Sequence, residues 1–394
     1  MGMQRIATDH DMVEAVRALG PAIDAVADRI DHERRLPDEL VHDLRTTGVF
    51  EMYLPRYAGG PEVHPLTAFA VTEELTRHDG SVGWCAQVAS GVMSFAAWIN
   101  PHELVAMRED SGWIHLAGSA RPLGTAQRVP EGLIAEGHWD YASGVRHANW
   151  FLATCLVERS DGRTAGRSMI LPVSDGQIVP NWDVVGMRGT GSDDFVVDGV
   201  LVPEGRIASR RWIEERSERL YDPRLMMVAA WAPIAGVGVG LAQGAIDALV
   251  NLGLRASAGS PVPLRNREAV QDAVAQAEAI TGASRAFVVE TIGAAWDSLS
   301  VGGESVPRAV ARAQLAITHA MNEAVRAVDI AFHAAGTNAI SSANRLERYL
   351  RDAHTAVQHA AGQPMHKRAA GRVLLGLDPG PIDPIREGPN TPRP

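Results

Sequence analysis

Cysteine and lysine are scarce in this chain of 394 residues. The two cysteines, Cys85 and Cys155, are too few for a disulfide framework or a cysteine metal cluster, which favours a reducing cytoplasm. Lys367 is the one lysine, and a net charge of −10 without basic runs argues against nucleic acid as a partner. His354 and His359 are five residues apart, whereas two metal ligands on one helix face need a spacing of four, so we expect no metal site.

Long apolar segments are also missing or interrupted. No long apolar run follows the first residues, so we expect no signal peptide. The most apolar stretch, residues 228–250, contains Pro233, Gln243 and Asp247, which favours a buried helix over a membrane span. No strand pattern leads into a Gly-x-Gly-x-x-Gly segment, so we expect no nicotinamide site.

The hydrophobic pattern changes twice along the chain. Apolar residues recur at three- and four-residue spacing from Val13 onwards, which predicts helices. From Trp113 to Ile207, short apolar runs alternate with turns, which predicts an antiparallel β-barrel or sandwich. Long helical patterns return after Asp222 and predict a bundle. We therefore predict an α+β multidomain protein with an N-terminal helical domain (1–112), a central antiparallel β-barrel (113–212), a C-terminal four-helix bundle (213–377) and a proline-rich tail (378–394).

A segment near the C-terminus, residues 351–360 (RDAHTAVQHA), carries the most specific signal. It resembles the segment where acyl-CoA dehydrogenases carry Arg-Asp-Ala and, eight residues past the Asp, a catalytic glutamate. Here Ala360 occupies that position and His359 stands before it. The family's alternative base position aligns near Ala230. A methyl group cannot remove a proton, whereas imidazole can donate a hydrogen bond to a peroxide or accept a phenolic proton. The resemblance therefore implies the same fold used for oxygen chemistry.

We expect the helix that carries this segment to continue past His359. Residues spaced along it form an apolar stripe, and His359 falls nearly opposite, beside Asp352. That polar face either lines a water-restricted cavity under a flavin or is an ordinary solvated face.

Two segments of the strand-rich region resemble flavin-binding segments of the same superfamily. Residues 186–192 (GMRGTGS) match its glycine-rich turn, which implies flavin contacts for Trp182, Arg188, Thr190 and Ser192. A plain β-hairpin is the alternative. Residues 137–144 end in Ser143-Gly144 and match the strand along the flavin ring, which would place Ser143 beside flavin N5. Its alternative is a surface turn.

Further parts of the chain complete the resemblance. Residues 115–122 correspond to the other flavin-edge strand and lack the usual Thr-Glu-Pro, and the implied flavin contacts here are Gly118 and Ser119. Arg255 aligns with an arginine that binds flavin phosphate, and Gly336 and Thr337 lie in a loop that often approaches the flavin of a neighbouring subunit. The alternatives are a helix-end arginine and a helix C-cap glycine.

Residues 80–84 (GSVGW) resemble the Ser-x-Gly-Trp of two-component hydroxylases. Members that act on phenols carry a histidine a few residues later, which is missing here and puts simple phenol hydroxylation in doubt. Trp84, Gln87 and Met93 are candidate substrate-pocket residues, or plain core residues.

Together these motifs resemble the two-component flavin-dependent monooxygenases (group D) of the acyl-CoA dehydrogenase superfamily, the group of hydroxyphenylacetate hydroxylase oxygenase components and dibenzothiophene monooxygenase. The resemblance implies reduced FMN or FAD from a separate NAD(P)H flavin reductase, O2 as co-substrate, and a homotetramer. A flavin C4a-hydroperoxide would transfer oxygen to a small organic substrate, aromatic or heteroatom-containing, with His359 and Ser143 as catalytic residues. The alternatives are an acyl-CoA dehydrogenase with a displaced base and a flavin-free helical scaffold.

Overall fold

The computed structural model describes residues 9–159, 161–213, 218–254, 262–303, 305–342 and 344–380. It begins with six α-helices. Pro37 precedes one of them, and the side chain of Asp79 caps another by accepting hydrogen bonds from the Ser81 and Val82 amides at 2.9 and 3.2 Å. The helices are α1 (Asp9–Ala18), α2 (Gly20–Glu33), α3 (Asp38–Thr46), α4 (Pro65–His78), α5 (Gly80–Met93) and α6 (Pro101–Ser111).

A six-stranded sheet follows, formed by β1 (Leu116–Val129), β2 (Gly132–Trp139), β3 (Trp150–Glu158), β4 (Thr164–Pro172), β5 (Gln177–Val179) and β6 (Asp194–Pro203). Its strand order is β4-β3-β1-β2-β6-β5. The expectation of a purely antiparallel sheet is wrong for one pair, because β1 and β3 run parallel. The chain between β2 and β3 is long enough to bring β3 back alongside β1 in the same direction, which a tight hairpin cannot do. An isolated bridge between Met169 and Ile207 brings the chain after β6 back to β4 and curls the sheet.

Five further α-helices lie in the described residues after the sheet: α7 (Met226–Gly253), α8 (Glu268–Val301), α9 (Ser305–Ala335), α10 (Leu346–Ala356) and α11 (Pro364–Leu374). Helices, a central sheet and then helices again is the order of elements that the sequence predicts. Within the described ranges, α7 is the one helix long and apolar enough to cross a membrane, and 83% of its most apolar window is buried inside the protein. Core helices have the same length and composition.

Helix α7 packs very closely on α4. A Cβ at Gly236 would lie 2.2 Å from Thr72 Oγ1, so only glycine fits at this crossing. Pro233 has no amide hydrogen and leaves the Ala229 carbonyl without its helical donor. The Tyr53 hydroxyl donates to that carbonyl at 2.9 Å. These contacts fix the first turns of α7, including residue 231, against the N-terminal helices.

Candidate functional site

His359 does not lie on a helix, which corrects the expectation that the helix continues past it. Helix α10 ends at Ala356, and His359 precedes a short 3-10 turn, Ala360–Gly362. A Cβ at Gly362 would lie 2.2 Å from the Val357 carbonyl oxygen, so the sharp turn requires glycine there. Pro364 also disfavours a helical conformation at Gln363, which is extended. The chain therefore turns at this point and presents His359 from a tight loop.

The His359 ring packs against two indoles. Its centroid lies 5.6 Å from that of Trp84 and 6.3 Å from that of Trp231, both edge-to-face. Trp231 also packs edge-to-face on His366 at 4.8 Å. Burial, together with the nearby His366, lowers the pKa of His359 to about 4. The imidazole is therefore neutral at pH 7.

One ring nitrogen of His359 is already occupied. The Ala361 amide donates to Nδ1 at 3.1 Å, so Nδ1 is the acceptor nitrogen. In a neutral imidazole the other nitrogen then carries the hydrogen, and we assign it to Nε2 on this hydrogen bond. Nε2 is thus a hydrogen-bond donor.

A continuous row of buried hydroxyl groups starts at Trp84. The Trp84 Nε1–H donates to Ser143 Oγ at 3.1 Å, and Ser143 Oγ lies 2.6 Å from Ser192 Oγ. Ser192 Oγ lies 2.6 Å from Thr190 Oγ1, which donates to the Met187 carbonyl at 2.8 Å. We call Ser143, Ser192 and Thr190 the hydroxyl row. Such groups can either donate or accept, which suits the polar edge of a flavin ring.

The turn that carries Thr190 and Ser192 is held by α10. The Met187 amide donates to Asp352 Oδ1 at 2.5 Å, and Met187 has the left-handed φ of 53°. A Cβ at Gly186 would lie 2.2 Å from the Arg351 carbonyl oxygen, so the turn and α10 are in direct contact. Burial, together with the neighbouring Asp79, raises the pKa of Asp352 to about 7. Asp352 is therefore a buried acceptor, so that side of α10 is not a solvated face.

Two residues predicted to bind flavin make other contacts. Arg188 donates from Nε to the Asp31 carbonyl at 3.1 Å and from a terminal nitrogen to the Val184 carbonyl at 3.0 Å. The bond to Asp31 ties the turn to α2. Trp182 donates from Nε1 to the Met187 carbonyl at 3.1 Å and so supports the hydroxyl row from outside. Direct flavin contacts of both residues stay predictions.

Gly118 and Ser119 lie where β1 bulges away from β3. A Cβ at Gly118, which has φ of 140°, would lie 2.3 Å from the Leu152 carbonyl oxygen. Ser119 Oγ accepts a hydrogen bond from the Arg121 amide at 3.2 Å. Their flavin contacts stay predictions.

The other predicted residues are dispersed. Gly336 and Thr337 are exposed at the end of α9, where Gly336 has φ of 58°. Gln87 is buried on α5, and Met93 is part of the hydrophobic core of the N-terminal helices. Arg255 lies outside the described residues.

Sequence reasoning missed Trp231 and His366. Trp231 is the one large side chain in Ala229-Ala230-Trp231-Ala232, next to the position that aligns with the family's alternative base. A large aromatic side chain among alanines at this position could have marked Trp231 as a site residue. His366 is buried on α11, and its Nδ1 has no hydrogen-bond partner within the described part of the chain. Nothing in its local sequence distinguishes it. Among the residues placed by the structure, no group of three or more His, Cys, Asp or Glu side chains could hold a metal ion.

Comparison with known proteins gives consistent matches. Residues 8–100 match the family model "Acyl-CoA dehydrogenase, N-terminal domain", and residues 232–364 match "Acyl-CoA dehydrogenase, C-terminal domain". The chain is 30% identical to an indole-3-acetate monooxygenase of Pseudomonas putida over 377 residues, covering 92% of this chain and 96% of that protein. It is 29% identical to the flavin-dependent monooxygenase oxygenase subunit HsaA of Rhodococcus jostii, over 89% of this chain and 94% of that one.

A solved structure agrees with these matches. The fold superimposes on XiaF from Streptomyces sp. in complex with FADH2 and glycerol with a TM-score of 0.83 and 25% identity, covering 95% of this chain and 97% of XiaF.

Proposed function

Because the chain belongs to the flavin-dependent monooxygenases of the acyl-CoA dehydrogenase superfamily, we propose that His359 and Ser143 flank the reaction site from two sides of Trp84. The protein is a reduced-flavin-dependent monooxygenase, the oxygenase component of a two-component system with a separate reductase. Its cofactor is reduced FMN or FAD, and O2 is its co-substrate. Bound reduced flavin supplies the electrons that activate O2, so that one oxygen atom enters the substrate and the other leaves as water.

The observation that carries the proposal is the position of Trp84. Its indole N–H donates to Ser143 Oγ at 3.1 Å, and its ring packs edge-to-face on His359 at 5.6 Å. The two residues that the sequence singles out as catalytic therefore share one neighbour, although 216 positions separate them in the chain. A flavin edge at Ser143 and a substrate at His359 would both contact this indole.

His359 acts as a hydrogen-bond donor in this proposal. Its Nδ1 accepts from the Ala361 amide and its pKa is lowered to about 4, so the neutral ring offers Nε2–H towards the site. A fixed donor stabilises negative charge that develops on an oxygen atom during transfer. The same tautomer cannot accept a substrate proton at Nε2, so the donor role is favoured over the role of a base.

The substrate is, in this proposal, a small aromatic molecule. Trp84 and Trp231 offer indole faces and edges, with the neutral His359 between them, and aromatic pairs favour edge-to-face and offset contacts. Burial and the nearby His366 lower the pKa of His359, so the surroundings of this ring disfavour a charge. An aromatic ring without a charge at the reacting end fits this surrounding. The name of the indole-3-acetate monooxygenase of P. putida also supports an aromatic substrate.

The assembly and compartment complete the proposal. We place the protein in the cytoplasm as a homotetramer, in which Gly336 and Thr337 approach the flavin of a neighbouring subunit. The exposure of both residues at the end of α9 is compatible with such a contact. The alternative of an acyl-CoA dehydrogenase with a displaced base is disfavoured, because the relatives that match nearly the whole chain are named as monooxygenases or hydroxylases.

The variant His359→Ala tests the proposal, with His354→Ala as the matched control. His354 lies five residues earlier, is exposed, and pairs with Asp329 at 2.9 Å. We expect His359→Ala to bind reduced flavin normally but to release most of the consumed oxygen as hydrogen peroxide, because oxygen transfer loses its donor. His354→Ala should keep the wild-type ratio of product to peroxide. Full coupled product formation by His359→Ala would contradict the proposal.

A further inference from the structure

The hydroxyl row has a fixed donor at one end and a fixed acceptor at the other. Trp84 Nε1–H, which contacts Ser143 at 3.1 Å, can only donate. The Met187 carbonyl, 2.8 Å from Thr190 Oγ1, can only accept. Ser143, Ser192 and Thr190 lie between them and are 6%, 2% and 0% exposed, so water does not supply other partners. The direction of the hydrogen bonds in the row is therefore set by these two fixed ends and not by water.

Each hydroxyl group has one hydrogen, so the row has two uniform orders, in which all three hydrogens point the same way. If Thr190 donates to the Met187 carbonyl, Ser192 must donate to Thr190, and Ser143 must donate to Ser192. All three hydrogens then point away from Trp84, and Ser143 Oγ keeps one free acceptor position. In the reverse order Ser143 becomes a donor, and the Thr190 hydrogen bond to Met187 is lost. The first order retains one more hydrogen bond.

We propose that the Met187 carbonyl, acting through Thr190 and Ser192, presents Ser143 as an acceptor and thereby makes the site select reduced over oxidised flavin. This inference rests on the proposed placement of Ser143 beside flavin N5. Reduced flavin carries a hydrogen on N5 and donates, whereas oxidised flavin has only a lone pair there and must accept. Oxidised flavin can form this bond only if the Ser143 hydrogen leaves Ser192, which either reverses or breaks the row and costs one hydrogen bond in both cases. Thr190 and Ser192 are therefore specificity-determining residues for the redox state of the cofactor.

The size of the selectivity follows from one neutral hydrogen bond. The reverse order loses the Thr190–Met187 bond at 2.8 Å and keeps the others. A net neutral hydrogen bond corresponds to about a threefold to tenfold difference in affinity. The hydroxyl row should contribute that factor to the ratio of the two dissociation constants.

The variant Thr190→Val tests the inference, because valine keeps the shape and removes the hydroxyl group that contacts Met187. Ser192 then has only Ser143 as an acceptor, and the Ser143 hydrogen is released towards N5 of oxidised flavin. The control is Thr154→Val, which removes another buried hydroxyl group, one paired with Ser168 between β3 and β4 at 2.9 Å. FMN and FAD are titrated in turn, oxidised in air and reduced under anaerobic conditions.

We expect the ratio of oxidised to reduced dissociation constants to fall about threefold to tenfold in Thr190→Val and to stay unchanged in Thr154→Val. A tenfold change in this ratio equals a shift of about 30 mV in the two-electron potential of the bound flavin, which gives a second readout. Ser192→Ala breaks the row at another point and should change the ratio in the same direction. If Thr190→Val does not fold, the ratio of dissociation constants in Ser192→Ala decides the test.

An unchanged ratio in the folded variants, with reduced flavin still bound, would overturn the inference while leaving the proposed function intact. A wild-type protein that binds neither form of flavin would instead overturn the proposed function.

Discussion

Trp84 donates its indole hydrogen to Ser143 Oγ at 3.1 Å, across 59 positions of sequence. The donor comes from α5 and the acceptor follows β2, so this bond joins the N-terminal helices to the sheet. His359 packs on the same indole. One side chain thus sets the relative position of the group proposed to contact flavin and the group proposed to contact oxygen.

Trp84→Phe should separate the two roles of this side chain. Phenylalanine keeps a ring beside His359 but has no N–H for Ser143, and a lost neutral hydrogen bond weakens an interaction by about 0.5–1.5 kcal/mol. We expect the dissociation constant of reduced flavin to rise about twofold to tenfold, measured by anaerobic titration. Trp231→Phe, which changes the other indole beside His359, should instead raise the KM for the aromatic substrate. Equal effects of both variants on flavin binding would contradict this assignment.

Asp352 is expected to stabilise the protein through its acceptor atom and not through its charge. Asp352→Asn keeps an oxygen for the Met187 amide, whereas Asp352→Ala leaves that buried amide without a partner, which costs about 1–3 kcal/mol. The free energy of unfolding in urea at pH 8 should fall by that amount in Asp352→Ala. Asp352→Asn should match or exceed the wild type.

The pH dependence gives the sign of the charge effect. The folded-state pKa of Asp352 is raised to about 7, mainly by burial, from an ordinary value near 3.8. Between these values the folded protein binds more protons than the unfolded chain. Titration of Asp352 therefore lowers the free energy of unfolding as pH rises from about 4 to 7. Asp352→Asn should remove that decline. If Asp352→Asn were less stable than Asp352→Ala at pH 8, the charge of Asp352 would be required.

His147 should make the protein sensitive to mild acid. It is buried, and burial lowers its pKa from 6.5 to about 4. Between pH 6.5 and 4 the unfolded chain therefore binds more protons, and the free energy of unfolding falls as pH falls, by at most about 3 kcal/mol. His115, also buried, contributes in the same direction.

Urea unfolding of His147→Gln at pH 7 and pH 5 measures this contribution. The difference between the two pH values should be smaller in His147→Gln than in the wild type. His102→Gln, at an exposed histidine of α6, is the control and should retain the full difference. An undiminished difference in His147→Gln would exclude His147 as the source.

The order of the elements was predictable from sequence because it depends on local periodicity. Helical spacing before Trp113, short strand-like runs up to Ile207 and helices afterwards all correspond to observed elements. The parallel pairing of β1 with β3 was not predictable, because strand neighbours depend on contacts between distant residues. The end of α10 at Ala356 was missed for another reason. The apolar stripe continues to Ala361, but the tight turn at Gly362 and Pro364 overrides it.

The site was predictable only where a family motif marks it. Ser143, Ser192 and Thr190 were named from two motifs, yet their contact in one row depends on how the strands and the turn fold together. The flavin contact of Arg188 stays a prediction, and no motif indicated that its donors also bind the backbone carbonyls of Asp31 and Val184. Trp231 belongs to no motif that we recognised and reaches His359 through the packing of α7.

The most direct measurement of the central claim compares His359→Gln with His359→Ala. Glutamine can present an amide N–H near the position of Nε2 but cannot act as a base at neutral pH, whereas alanine can do neither. The quantity measured is the fraction of consumed O2 that appears as oxygenated product, with the remainder detected as hydrogen peroxide. If His359 acts as a donor, His359→Gln retains at least about half of the wild-type coupling, while His359→Ala falls at least about tenfold, as expected for loss of a donor to developing charge. Coupling in His359→Gln as low as in His359→Ala, with reduced flavin bound normally, would contradict the account.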